Sequence, residues 1–135
     1  MAMHKDIIEI VAAFLAAWLF YQGLAFATGT PMPIVSVASE SMEPILHKGD
    51  LLFVLRPDDL KTGNIIIYNV PGEKYTIVHR IIEMHDDGTV DTKGDNNSGQ
   101  LPYEHNIKSG QIVGKAVLAV PMLGYPRLLL YAVGI

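Results

Sequence analysis

Ser41 stands in the run Ser39-Glu40-Ser41-Met42-Glu43-Pro44, His79 in Ile77-Val78-His79-Arg80, and Asp95 in Lys93-Gly94-Asp95-Asn96-Asn97. A hydroxyl, an imidazole and a carboxylate in one small chain are the ingredients of nucleophilic hydrolysis. A serine hydroxyl is a weak nucleophile near neutral pH until a base takes its proton, and free imidazole titrates at about 6.5, close to that range. A carboxylate on the far ring nitrogen would hold the tautomer that leaves the near one free to accept. Each residue also has a plainer reading: Ser41 as a turn residue beside Pro44, His79 as a core histidine with one nitrogen satisfied, Asp95 as a turn cap. It is their conjunction in one chain that favours catalysis.

The elements that must position these residues are mostly strands. After Ile34 the apolar runs are short, rich in β-branched residues and separated by turn clusters: Ile34–Val37, Asp50–Leu55, Ile65–Val70, Tyr75–Met84, Thr89–Lys93 and Gln111–Val120. Pro71-Gly72-Glu73-Lys74 and Asp86-Asp87-Gly88 read as turns joining neighbouring strands, and Leu60-Lys61-Thr62-Gly63 as a further turn. The fold class that follows is mainly β: an N-terminal transmembrane helix and then a small antiparallel β domain. A three-residue loop at Asp86-Asp87-Gly88, with glycine left-handed, would set His85 opposite Thr89 and, further along the ladder, His79 opposite Asp95. A bulge in either strand would slip that register and undo the match.

Ile7 to Ala27 is almost entirely apolar and, at 1.5 Å per residue, reaches about 30 Å, the thickness of a bilayer core. Trp18 and Tyr21 suit an interfacial belt. Ala25-Phe26-Ala27 also reads as a small-x-small cleavage site after which a protein would begin at Thr28, but Asp6 and Glu9 spoil the positive leader of a secretory signal, so a retained anchor is favoured. Lys5 is the one basic residue on the amino-terminal flank, which puts the N-terminus in the cytoplasm and the domain outside. The organisation expected is therefore a cytoplasmic N-terminus over 1–6, a membrane anchor over 7–27, a Pro-rich linker over 28–33, a β-rich catalytic domain over 34–120 and a membrane-proximal apolar segment over 121–135. As helix, Leu128–Ile135 would span only about 12 Å, too short to cross a bilayer alone.

Composition removes other classes. A net charge of −4 with no basic run gives no footprint for nucleic acid. With no cysteine there is no disulfide framework and no thiolate metal site, and His4, His47, His85 and His105 show no metal-site spacing. Gly49-Asp50 and Gly63-Asn64 enter strands rather than helices, so no phosphate cradle is expected. No metal, nucleotide or other cofactor is predicted.

Taken together, the boxes Ser39–Pro44, Gly49–Val54, Val78–Arg80 and Gly94–Asn97 resemble those of the type I signal peptidases, in particular the archaeal and endoplasmic-reticulum branch that carries histidine rather than lysine at the base position. The resemblance covers most of the chain. It implies Ser41 as nucleophile, His79 as general base, Ser39 and the Ser41 backbone N–H as oxyanion donors, and Asp95 as the orienting acid. Many relatives carry a second acid about six residues beyond the first, where this chain has Leu101. Three arrangements stay open: Asp95 as the orienting acid, Glu104 reaching in from the loop, or an unaided Ser-His pair. The function implied is a membrane-anchored serine endopeptidase removing signal peptides from exported preproteins after small residues, on the outer face of the membrane. Its partners would be signal-bearing preproteins and the lipid bilayer; the sequence is silent on accessory membrane subunits. The rival readings are a non-catalytic membrane-tethered β module that binds a partner, and a related peptidase with a specialised precursor substrate.

Overall fold

A computed structural model describes residues 2–133 of the chain; Met1, and Gly134 and Ile135 of the expected C-terminal segment, lie outside the described residues. Helix α1 spans Ala2–Thr28 and has no buried residue. Its large apolar side chains are exposed all round, from Ile7 and Ile8 through Phe14, Leu15, Trp18, Leu19 and Phe20 to Phe26. A helix apolar on every side has no core face to pack and needs an apolar surrounding, and this one is long and apolar enough to cross a membrane.

The helix is not loosely tethered. Gly29 terminates it in a left-handed conformation, φ +73°, with its N–H on the Ala25 carbonyl at 3.0 Å. A Cβ at Gly29 would lie 2.6 Å from Arg56 Nε. The Arg56 N–H donates to the Thr28 carbonyl at 2.9 Å and Thr30 Oγ1 donates to the Val113 carbonyl at 2.8 Å, so the segment expected as a linker is bolted onto the domain.

Six strands follow, β1 (Ile34–Ser36), β2 (Leu51–Leu55), β3 (Ile65–Tyr68), β4 (Ile77–Met84), β5 (Val90–Lys93) and β6 (Ile112–Val120), each inside or within a residue of a run expected from the sequence. They form one antiparallel sheet in the order β1-β2-β6-β3-β4-β5. Alternation along β3 and β4 divides the interior in two. Ile67, with Val78 packed against it, joins Val35, Val37, Met42, Leu46, Leu52 and Val54 in one cluster. Ile66, Tyr68 and Ile81, with Ile77 packed against them, join Val90, Ile107 and Ile112 in the other. His79, opposite Ile66 in the β3–β4 ladder, points to this second face. At the far end a short helix, α2 (Tyr125–Ala132), docks through Gly124, whose N–H donates to the Gly49 carbonyl at 2.7 Å.

Candidate active site

Ser41 lies in the turn that leaves β1, and buried Met42 pegs that turn into the first cluster. Within the turn Leu46 N–H donates to the Met42 carbonyl at 2.9 Å. The Gly94–Asn97 turn grips it from outside. Asn96 N–H donates to the Ser41 carbonyl at 2.8 Å, Asn96 Nδ2 donates to the Glu40 carbonyl at 3.1 Å, and Asp95 N–H reaches Met42 Sδ at 3.4 Å. The approach is close enough to require glycine at 94, because a Cβ there would sit 2.8 Å from the Ser41 carbonyl oxygen.

His79 is 4 % exposed, yet its Nε2 lies 3.0 Å from Ser41 Oγ. Its Nδ1 meets Oε1 of Glu104, a side chain wholly shielded from solvent. An ionised carboxylate only accepts, so in this contact the imidazole donates from Nδ1 and presents the lone pair of Nε2 to the serine hydroxyl. Glu104 ends a 3₁₀ turn, Pro102–Glu104, that brings its side chain inward, and its second oxygen accepts the Leu101 N–H at 2.7 Å. On the other side of the hydroxyl, Ser39 Oγ lies 3.0 Å from Ser41 Oγ and 3.4 Å from the Ser41 N–H. The Ser41 N–H and the Ser39 hydroxyl are thus two donors beside Ser41 Oγ.

Of the residues singled out from the sequence, the fold brings together Ser39, Ser41 and His79 and leaves Asp95 apart. Asp95 accepts a two-pronged contact from Arg80, Nε to Oδ1 at 2.9 Å and Nη2 to Oδ2 at 2.8 Å, and Arg80 Nη1 also donates to the Gly63 carbonyl. The Arg80 guanidinium holds the Asp95 carboxyl below the usual carboxylate range. The reason is register. Next to the Asp86-Asp87-Gly88 loop the expected pairing holds, with His85 N–H on the Thr89 carbonyl at 2.9 Å, Met84 opposite Val90 and Glu83 opposite Asp91. An irregularity between Ile81 and Glu83 then slips the ladder by one, so that Ile81 faces Thr92 and Arg80 faces Lys93. A one-residue slip exchanges the faces. Asp95, two beyond Lys93, therefore shares the face of Arg80 rather than that of His79.

A cleft of about 760 Å³ opens beside the site. Val35, Ser36 and Val37 line one wall and Ile77, Val78 and His79 the other, although three strands separate β1 from β4 in the sheet. The sheet therefore curls, and β1, at one end of the strand order, turns toward the cleft.

Folding also gathers two histidines that are scattered in sequence. His85 Nε2 lies 2.8 Å from Asp91 Oδ1, His105 Nδ1 lies 3.4 Å from Asp91 Oδ2, and Asn106 N–H donates to Asp91 Oδ1 at 2.8 Å. Glu83, His85 and Asp91 are the one group among the described residues with donor atoms close enough to share a metal ion. The Asp91 hydrogen bond raises the proton affinity of His85, so a protonated imidazole can offset part of the charge of the two carboxylates.

Sequence reasoning left Glu104 as one of three alternatives and gave no role to Asn96, Thr92 or Tyr68. Asn96 lay inside a box already marked, and its signal was there to be used. Thr92 and Tyr68 read as ordinary strand residues, and only their shared face with His79 gives them interest.

A Peptidase S24-like family model matches residues 9–117. The chain is similar to the signal peptidase complex catalytic subunit SEC11 of Saccharomyces cerevisiae, strains YJM789 and RM11-1a. In each case the identity is 38 % over 132 residues, covering 90 % of this chain and 79 % of the relative.

Proposed function

The chain belongs to the S24-like peptidases, among the relatives of signal peptidase catalytic subunits, and from that membership we propose a membrane-anchored serine endopeptidase that cuts signal peptides from exported preproteins, with Ser41 as nucleophile, His79 as base and Glu104 as orienting acid. The observation that carries the reading is the His79 ring, with Nε2 3.0 Å from Ser41 Oγ and Nδ1 occupied by a buried carboxylate. Asp95, spent on Arg80, has a structural part instead.

In the reaction His79 Nε2 takes the Ser41 proton as Oγ bonds to the scissile carbonyl carbon, and the carbonyl π pair moves onto oxygen. The Ser41 N–H and Ser39 hydroxyl donate to that oxyanion, and Glu104 stabilises the imidazolium. His79 then returns the proton to the departing nitrogen as the C–N bond breaks. Water, deprotonated by the same imidazole, hydrolyses the acyl-serine.

Substrate would enter extended, lying along the wall of the cleft that Val35, Ser36 and Val37 form. The apolar walls of Val35, Val37, Ile77 and Val78 favour small side chains at the positions that face inward. The anchor α1 confines enzyme and preprotein to one surface. Lys5 on its amino-terminal flank favours a cytoplasmic N-terminus and an outward-facing domain.

The test compares cleavage of a signal-bearing preprotein, in detergent or lipid, by the intact chain and by Ser41→Ala. Cleavage lost in the variant alone is expected; equal cleavage by both would overturn the assignment of Ser41.

A further inference from the structure

Behind Glu104 runs a buried polar chain for which the reaction as described has no use. Tyr68 on β3, Thr92 on β5 and Glu104 after the Leu101–Pro102 turn each have no exposed surface. The Tyr68 hydroxyl lies 2.9 Å from Thr92 Oγ1, and Thr92 Oγ1 donates at 3.5 Å to Glu104 Oε1, the same oxygen that meets His79. Register explains the convergence: Tyr68 lies two residues beyond Ile66, which faces His79, and Thr92 faces Ile81, two residues beyond His79. Tyr68, His79 and Thr92 therefore point to one face, with Tyr68 and Thr92 each diagonal to His79 across the two ladders of β4.

The direction of the chain follows from counting protons. Among the described residues the Tyr68 hydroxyl has Thr92 as its hydrogen-bond partner. Around it lie the apolar side chains of Ile66, Ile81, Val90, Ile107 and Ile112, with Tyr103 packed against the same cluster. A buried donor left unmet is costly, so the phenol donates to Thr92 Oγ1 and the single threonine proton goes on to Glu104. Burial raises the phenol well above its ordinary titration range, so it stays a donor wherever the enzyme is assayed. Gln100 Nε2, donating to the Thr92 carbonyl at 3.0 Å, ties the loop that leads to Glu104 onto the same residue.

We infer that Tyr68 and Thr92 are positioning residues of this catalytic site: the hydroxyl relay from Tyr68 through Thr92 fixes the rotamer of Glu104 and selects the oxygen it presents to His79. Glutamate has three rotatable bonds and here projects from a single 3₁₀ turn, so its orientation must be imposed by its contacts. Leu101 N–H holds one oxygen and Thr92 the other. The inference rests on the reading of Glu104 as the orienting acid.

The experiment measures kcat, KM and the pH–rate profile of the full chain on a signal-bearing substrate for Thr92→Val, Thr92→Ser, Tyr68→Phe and Glu104→Gln. Removing the hydroxyl that holds Oε1 lets the Glu104 carboxylate swing away from the ring, so the imidazolium is stabilised less. The acid limb of kcat should therefore move to lower pH in Thr92→Val, with kcat several-fold lower and KM unchanged. Thr92→Ser, which keeps the hydroxyl, should restore the parent limb, and Tyr68→Phe should move it less than Thr92→Val. The double variant Tyr68→Phe/Thr92→Val removes donor and acceptor together, leaves no unmet phenol, and should keep the shifted limb even if Thr92→Val alone folds poorly. A parent limb and kcat in the double variant, or a serine variant that behaves like valine, overturns the relay. Parent activity in Glu104→Gln would instead overturn the assignment of Glu104 itself, and the two failures are read from different variants.

Discussion

Glu104 and His79 meet although 25 residues separate them, one on a 3₁₀ turn and the other on β4. Glu104 has no exposed surface and His79 almost none. A carboxylate so enclosed interacts with the ring through a medium of low effective dielectric, where the charge that appears on imidazole during serine attack is stabilised more than water would allow.

Exchanging the carboxylates separates the two acids. Glu104→Gln preserves shape but lets Nδ1 act as acceptor, so Nε2 can carry a proton and no longer accept that of Ser41; kcat is expected to fall by about 10²–10⁴-fold. Asp95→Asn should leave kcat within about tenfold of the parent and cost about 1–3 kcal/mol of stability through the Arg80 contact. The pH dependence has a defined sign. Because Arg80 depresses the folded-state pKa of Asp95, its contribution is present above the unfolded value and is lost as pH falls through the folded one. Chemical denaturation of parent and Asp95→Asn should therefore converge in acid.

The oxyanion contact is tested at Ser39. Its hydroxyl is 3.0 Å from Ser41 Oγ and makes one long, exposed contact with the Ser41 N–H, so Ser39→Ala is expected to lower kcat by about 10²–10³-fold with little change in melting temperature. A kcat within twofold of the parent would remove Ser39 from the site.

Gly94→Ala probes the grip on the nucleophile turn. The new methyl would lie 2.6 Å from Asn97 Nδ2, which can swing away, and 2.8 Å from the Ser41 carbonyl oxygen, which cannot. Displacing that backbone moves Oγ relative to His79, and kcat should fall by up to about 100-fold while preprotein binding persists. Binding of an uncleaved preprotein, measured on a Ser41→Ala background with and without the substitution, checks the second half.

At the other end of the hairpin, His85 stabilises the fold only when charged. Asp91 raises its folded-state pKa, so the contribution is complete below the unfolded value and disappears as pH rises through the folded one. The difference in melting temperature between the parent and His85→Ala should be largest at mildly acidic pH and shrink in alkali; a difference independent of pH would contradict the pairing.

Much of this molecule is legible along the chain because it is a matter of local pattern. Six β-branched runs between turn residues specify six strands, and an unbroken apolar stretch specifies a helix that no core can hold. Ser41 and His79 stand out because their neighbours carry a family resemblance. The partner of His79 could not be read in the same way. A slip between Ile81 and Glu83 turns Asp95 onto the face of Arg80, and nothing in the local sequence announces it, since register depends on how both strands pack against their neighbours. Glu104 reads as one more loop acid until the Pro102–Glu104 turn folds it beneath β4, and Thr92 and Tyr68 acquire a shared role only because two ladders bring them to His79's face. Types and spacing along the chain decided which strands it would have and which serine and histidine stood out. Long-range packing, where burial of an entire face outweighs any single pair, decided which carboxylate the histidine met.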